Sequence, residues 1–156
     1  MASRAILDAN MLIVYAIGKK HPEMLGRHRH VKEYMPEDFD LLIHLVNGVD
    51  QIVLTPNAVT ECSDLLKDSD FEDDAKEALK DLIKSPGCIV VEEYVQSSDA
   101  VDASQYKFLG VADCAMLELV DQETILISAD GALSREAVKK NPYSINFNHY
   151  RSFVWK

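Results

Sequence analysis

The sequence lacks a long apolar run, paired cysteines and a surplus of positive charge. Its longest uninterrupted apolar run, residues 11–17, is too short to cross a bilayer. The three cysteines, Cys62, Cys88 and Cys114, form no C-x-x-C pair, which excludes a disulfide scaffold and favours reduced thiols. The amino terminus leads into a strand-like segment rather than a signal peptide. We therefore expect a soluble, cytoplasmic protein that does not enter a membrane.

Positive charge is scarce, because 16 Lys and Arg residues stand against 26 Asp and Glu residues, giving a net charge of −10. A protein that holds nucleic acid mainly by neutralising phosphates should be basic. The charge balance argues against a stable nucleic-acid-binding protein of that kind, but it allows an enzyme with a local basic patch. Most of the acids are typical of a solvated surface. A subset gathered in one place would instead hold metal ions.

What the sequence does contain is enough apolar material for one ordinary domain of 156 residues, 47% of them hydrophobic. Short apolar runs alternate with helix-length amphipathic segments, and this alternation predicts parallel strands joined by helices. The predicted strands are 5–7, 51–54, 88–91, 125–127 and an edge strand at 144–147. The predicted helices are 11–17, 39–46, 56–66, 72–84, a weak helix opening at 97–99, 111–120 and 131–140. We expect a three-layer α/β/α fold around a mainly parallel sheet of four to five strands, as one domain over residues 1–150 with a tail at 151–156.

Polar side chains interrupt the apolar pattern where the predicted strands end. In an open parallel sheet, ligands bind outside the carboxyl ends of the strands. The polar residues at or near such positions are Asp8, Asn10, Glu61, Asp113, Ser128 and Asp130. A single acid at a strand end is usually a cap or turn residue, whereas four acids placed in this way indicate a shared site.

Four converging carboxylates repel one another and raise one another's pKa values unless a cation neutralises them. An all-oxygen donor set favours Mg²⁺ or Mn²⁺ over zinc. Such a metal ion can activate water and stabilise the charge that develops during attack on phosphorus. The sequence therefore predicts a Mg²⁺ or Mn²⁺ site that acts on a phosphate ester.

Four segments of the chain resemble, in content and order, the motifs of PIN-domain nucleases. The segments are A-I-L-D-A-N-M-L-I-V-Y, T-P-N-A-V-T-E, G-V-A-D-C-A-M-L-E-L and I-L-I-S-A-D-G-A-L, and they span residues 5–133. The resemblance implies a metal-dependent endoribonuclease that hydrolyses phosphodiester bonds of single-stranded RNA, often as the toxin of a bacterial toxin–antitoxin pair. It implies the following catalytic and metal-binding residues: Asp8, Glu61, Asp113 and Asp130, with Asn10 and Ser128 as supporting polar groups.

The resemblance also implies partners, namely RNA, an antitoxin protein and a second copy of the chain. Many members of the family carry a further acid shortly after the position of Asp130. Residues 131–133 are Gly, Ala and Leu here, which leaves open whether one metal ion or two would bind.

One stretch of this acidic chain is basic and is the first candidate for contacts with RNA. Its cations are Lys19, Lys20, Arg27, Arg29 and Lys32, interleaved with His21, His28 and His30. The stretch is either a solvated loop or a segment that folds over the acidic site and contacts phosphates. The second basic candidate is the set Arg135, Lys139 and Lys140.

Four tyrosines are candidates for stacking on unpaired bases: Tyr15, Tyr34, Tyr106 and Tyr150. Trp155 is equally open to docking on the domain or on a partner.

Two other functions remain open at this point. The first is a PIN-like fold that serves as a non-catalytic interaction module, which typically lacks one of the acids. The second is a phosphotransfer domain, either receiver-like or haloacid-dehalogenase-like. Asn10 and the run Ser128-Ala129-Asp130 fit the phosphotransfer patterns poorly, although acids do follow the third strand.

Overall fold

The computed structural model describes residues 2–27, 32–67, 71–84 and 89–154. Its centre is a five-stranded sheet in which every pairing is parallel. The strands are β1 (Arg4–Leu7), β2 (Gln51–Leu54), β3 (Val90–Glu92), β4 (Thr124–Ser128) and β5 (Ile145–Asn146). Cys88 and Arg29 lie outside the described residues, as do His28, His30 and Trp155.

Helices connect the strands. They are α1 (Ala9–Lys20), α2 (Pro36–Val46), α3 (Pro56–Leu65), α4 (Glu72–Ile83), α5 (Ser97–Ala100), α6 (Val111–Leu119), α7 (Gly131–Lys140) and α8 (Phe147–Val154). Within the described part of the chain, none of them has both the length and the apolar character to cross a membrane. Short 3₁₀ helices at Pro22–Met24 and Ser104–Lys107 complete the set in the described ranges.

The strand order β3-β2-β1-β4-β5 fixes where a site can form. The chain first adds strands on one side of β1 and then returns to place β4 on the other side. Leu7 of β1 is paired with Ile127 of β4, so the two strands end side by side. The order reverses between these two strands, and such a reversal opens a crevice at the carboxyl edge of a parallel sheet.

Alternate residues of each central strand face two different cores, as the period of a strand requires. Ala5 and Leu7 join the core covered by α1, α2 and α4, whereas Ile6 joins the core covered by α6 and α7. Helices therefore cover both faces of the sheet, and the predicted three-layer α/β/α fold is confirmed.

Helix α1 is buried over almost its whole length because helices surround it. It contacts α2, α3 and α4, and its residues from Met11 to Gly18 are all buried. Gly18 allows α2 to approach closely, since a Cβ at this position would lie 2.2 Å from Cδ1 of Phe39. The sequence pattern alone located the helix but not this close approach.

Most element boundaries follow from capping chemistry that is visible in the sequence. Thr55 begins α3 by accepting a hydrogen bond from the backbone N–H of Ala58 at 3.1 Å, with Pro56 at the first helical position. The helix predicted to be capped within 97–99 is instead preceded by Gln96, whose side chain makes no capping bond, so that cap assignment is wrong. Strand β3 begins at Val90 and runs to Glu92, two residues later than the apolar run begins.

An ion pair between a half-buried arginine and a buried aspartate attaches α8 to the start of α2. Arg151 donates from Nε to Oδ1 of Asp38 at 3.1 Å and from Nη2 to Oδ2 at 2.9 Å. Its guanidinium also lies 4.8 Å from the centre of the Tyr34 ring. The tail predicted to begin at residue 151 is therefore helical as far as Val154, and its first residue is bound to the domain.

Candidate active site

Asp8 lies where β1 ends beside β4, and it joins the two strands. Its Oδ2 accepts hydrogen bonds from the hydroxyl of Ser128 at 2.5 Å and from the backbone N–H of Ala129 at 3.0 Å. Its Oδ1 accepts a bond from the backbone N–H of Met11 at 2.8 Å and so caps α1. The prediction that Asp8 and Ser128 meet at one edge of the sheet is confirmed, although they are far apart in sequence.

Two opposing influences act on the Asp8 carboxyl. Its side chain is buried, and this desolvation raises its pKa above the ordinary value. The hydrogen bonds from Ser128, Met11 and Ala129 lower it, while the negative charge of Asp130 raises it further. Burial is the largest of these influences, so the ionised form of Asp8 is disfavoured.

Ser128 also connects Asp8 to Asp130. Its hydroxyl donates to Asp8 and accepts a hydrogen bond from the backbone N–H of Asp130 at 2.9 Å. Asp130 in turn caps α7, because its Oδ1 accepts from the N–H of Leu133 at 3.0 Å. The turn between β4 and α7 thus contains Asp130, and its Ser128 and Ala129 donate hydrogen bonds to Asp8.

Asp113 lies in the first turn of α6 and is half-buried. Burial raises its pKa to about 6, and the charges of Asp130, Glu61 and Asp8 contribute in that order. Asp113 therefore lies within electrostatic range of the three other predicted acids. Asp8 and Asp130 are joined through Ser128 at the carboxyl edge, whereas Glu61 is contributed by α3 and is exposed.

The four side chains offer carboxylate oxygens, which are the ligands that hard cations such as Mg²⁺ and Mn²⁺ prefer, and a cation would offset their mutual repulsion. Across residues 2–27, 32–67, 71–84 and 89–154, however, no three His, Cys, Asp or Glu side chains are placed as a group that could hold a metal ion. Two of the acids instead bond the N-termini of helices. Binding of Mg²⁺ or Mn²⁺ would require a change in side-chain conformation, which exposed Glu61 can make.

The remaining predicted site residues lie apart from this network. Asn10 is exposed in the first turn of α1. Lys19 lies over the ring of Tyr15, and Lys20 forms an ion pair with Asp81 of α4. At about 1.5 Å per residue, the far end of α1 is roughly 17 Å from Asp8.

The idea that the basic stretch folds over the acidic site is therefore wrong for Lys19 and Lys20. Arg27 and Lys32 are exposed, and Arg29 is not among the described residues. Of the second basic set, Arg135 lies nearest the acids. Its Nη1 is 3.9 Å from the position that a Cβ on Gly131 would occupy, next to Asp130.

Two residues support the site through hydrogen bonds: Asn148, which the sequence did not indicate, and Tyr34, which it indicated only as a stacking candidate. The hydroxyl of Tyr34 donates to Oδ1 of Asn148 at 3.3 Å, and Nδ2 of Asn148 donates to the carbonyl of Ala129 at 3.4 Å. The N–H of the same residue, Ala129, binds Asp8. Burial and the nearby charges of Glu33 and Asp8 raise the pKa of the Tyr34 hydroxyl, which stays protonated as a donor. No local pattern links residues so distant in the chain.

An open groove of about 630 Å³ lies beside the acids, between α3 and the start of α6. Glu61 lines it, and so do Val111 and Ala112, which directly precede Asp113. Tyr94 lines the same groove and is 71% exposed. The stacking role predicted for Tyr15 and Tyr34 is wrong, because these side chains are only 2% and 1% exposed.

The acidic edge thus consists of four carboxylates at a strand-order reversal, next to a groove with an exposed aromatic ring. Comparisons with protein-family models, curated proteins and solved structures found no match to this chain. The chemistry available at the edge is that of gathered acids: they can accept protons from water, bind a cation and repel an unscreened phosphate.

Replacing Ser128 by Ala should lower the free energy of unfolding by about 1–3 kcal/mol. The change removes the hydroxyl that donates to buried Asp8 and leaves the backbone N–H of Asp130 without this acceptor. Urea unfolding monitored by circular dichroism measures the loss.

Ser134 supplies a matched control within α7. It is also buried, at 3% exposure, but its hydroxyl has no hydrogen-bond partner among the described residues. Ser134→Ala should therefore leave stability unchanged or increase it. Equal losses in the two variants would show that the Ser128 network contributes nothing specific.

Proposed function

We propose that this chain is a metal-dependent endoribonuclease that hydrolyses single-stranded RNA. The observation that carries the proposal is the gathering of Asp8, Glu61, Asp113 and Asp130 at the carboxyl edge of the sheet, where the strand order reverses. An acidic cluster of this kind is costly to the apoprotein, because burial and mutual repulsion disfavour the ionised forms. Such a cost is expected where the acids serve a function. The resemblance of the four sequence motifs to PIN-domain nucleases supports the same proposal.

In this proposal the four acids would hold Mg²⁺ or Mn²⁺. The bound cation supplies Lewis-acid chemistry, activating water and stabilising developing charge on phosphorus. Ser128 and the N–H of Ala129 orient the Asp8 carboxylate and limit its rotation. In the metal-free protein the pKa of Asp113 is raised to about 6, so its carboxylate becomes ionised, and ready to bind a cation, as the pH rises above that value. Arg135, exposed next to Gly131, is the cation best placed to contact a phosphate of the substrate.

A second candidate function is a non-catalytic interaction module. It is favoured by one observation, namely that no ready-made metal-binding group is present in the ranges that the structure describes. The toxin role and an antitoxin partner stay predictions from the resemblance. A neighbouring small reading frame that encodes a DNA-binding protein would favour them.

Cleavage of an unstructured RNA by the purified protein tests the proposal. We expect cleavage with Mg²⁺ or Mn²⁺ and none with EDTA, since the carboxylates alone repel the substrate. The Asp113→Asn variant, purified in the same way, should lose cleavage and controls for contaminating nucleases. The Asp73→Asn variant, altered on the exposed first turn of α4, should cleave like the parent. Equal cleavage in EDTA would overturn the metal role, and no cleavage under either condition would favour the interaction module.

A further inference from the structure

The groove between α3 and α6 is chemically different from the acidic edge that it adjoins. One wall carries Asn57 and Glu61, the opposite wall carries Val111, and Tyr94 and Val95 form a third side. Its volume of about 630 Å³ lies within the range of sites that bury small organic groups. Glu61 belongs to both features, and the lining residues Val111 and Ala112 directly precede Asp113, so a group in the groove lies beside the acidic edge.

The lining restricts what can occupy the groove. Glu61 and Asp64 place negative charge there, and none of the described Lys or Arg residues lines it, which disfavours a phosphate. A flat, uncharged group suits it better, because apolar contact is available from Val95 and Val111 and hydrogen bonding from the Asn57 amide.

Tyr94 is placed to contact such a flat group. The backbone N–H of Glu93 bonds the carbonyl of Leu54 at 2.8 Å, and the Val95 side chain is buried, so both chain neighbours of Tyr94 are anchored. Its ring is nevertheless 71% exposed. A tyrosine ring loses little conformational freedom on binding and stacks on any nucleobase.

We infer that this groove binds one unpaired RNA base adjacent to the scissile phosphate, with Tyr94 as its stacking surface. The inference rests on the proposed function, because it takes the acidic edge as the place of cleavage. It also explains how a protein of net charge −10 holds RNA: the neutral base contributes affinity where a phosphate would be repelled. Tyr94 is a substrate-binding residue in this view, distinct from the acids.

The experiment compares the parent with Tyr94→Ala, Tyr94→Phe and Tyr143→Ala in cleavage of a short unstructured RNA with Mg²⁺. Tyr143 is the matched control, because it is 70% exposed but lines a separate depression with Ala2, Val49 and Ile125, where the strands begin. We expect Tyr94→Ala to raise KM about 5- to 100-fold with little change in kcat, since loss of base stacking removes uniform binding. Tyr143→Ala should match the parent, and Tyr94→Phe, which keeps the stacking ring, should raise KM far less than Tyr94→Ala.

A set of substrates with a single abasic position tests the base itself. At one position the abasic substrate should raise the KM of the parent as much as Tyr94→Ala does, and the two changes should not add. Equal effects of Tyr94→Ala and Tyr143→Ala, a Tyr94→Phe variant as weak as Tyr94→Ala, or full additivity at every abasic position would overturn the inference.

Failure of the proposed function is distinguishable from failure of the groove. If the parent does not cleave, the nuclease proposal fails, and fluorescence anisotropy of the labelled RNA with Mg²⁺ then measures binding alone. A Tyr94-specific loss of affinity in that assay would support the base-binding groove. No RNA binding by the parent would overturn both.

Discussion

Replacing Asp113 by Asn is expected to reduce RNA cleavage at least about 100-fold while stabilising the metal-free protein. The folded-state pKa of Asp113 is raised from 3.8 to about 6 by burial and by Asp130, Glu61 and Asp8. A raised pKa means that the protonated side chain favours the folded state. This contribution is fully present below pH 3.8 and is lost as the pH rises through about 6. Asn does not ionise and avoids the loss.

The expected gain for Asp113→Asn is therefore largest above about pH 6 and vanishes below pH 3.8. We expect about 1–2 kcal/mol in EDTA, less than the full shift because solvent screens this half-buried group. Added Mg²⁺ should reverse the order, since a cation that binds only the folded parent stabilises it by mass action. Urea unfolding across this pH range, with and without metal, measures both effects.

The Asp121→Asn variant provides a control in which the expected change in stability has the opposite sign. Hydrogen bonds from the backbone of Glu123 and Thr124 lower its pKa, so its stabilising effect is present above the ordinary pKa and lost as the pH falls. Asp121→Asn should lower stability above about pH 6 and leave cleavage unchanged. A loss of stability in metal-free Asp113→Asn would show that Asp113 has a structural role instead.

Replacing Arg151 by Ala should destabilise the protein by about 1–3 kcal/mol. The change removes two hydrogen bonds from the Asp38 carboxylate, which is 2% exposed and still accepts a bond from the backbone N–H of Met35. It also removes the hydrogen bond from Nη2 to the carbonyl of Glu33 at 2.5 Å and the contact with the Tyr34 ring. Urea unfolding measures the loss.

Two comparisons separate pairing geometry from charge. Arg151→Lys keeps the charge without the planar fork and should give an intermediate loss. The double variant Arg151→Met, Asp38→Asn should lose less than the sum of the single changes, because each single change already breaks the same ion pair. Lys20→Met, which breaks the exposed pair with Asp81, should have no measurable effect. A similar loss in Lys20→Met would contradict the assigned importance of burial.

The sequence predicted the sheet and most helices because their signals are local. The apolar runs before Asp8 and around Ile125 became β1 and β4, and Thr55-Pro56 marked the start of α3. The parallel arrangement followed from the alternation of strands and helices. Bounds moved by one to three residues where tertiary contacts extend an element, as at the end of α1, which continues to Lys20.

The residues of the candidate site were also predicted in part, because part of their signal is local in the sequence. Strand-end position indicated the acids, but it treated Asp8 and Asp113 alike. The structure separates them, because Asp8 is held by three hydrogen bonds whereas repulsion acts on Asp113 from three neighbouring acids. The supports from Tyr34 and Asn148 and the exposure of Tyr94 depend on packing between distant segments, which no local pattern records.

The two outer strands of the sheet have a consequence for assembly. Strand β3 has three residues and β5 has two, so each edge offers few unpaired backbone groups to another chain. Glu92 adds charge to the β3 edge. Short, charged edge strands oppose the edge-to-edge pairing that leads to fibres. Polymerisation of this chain by strand addition is therefore disfavoured.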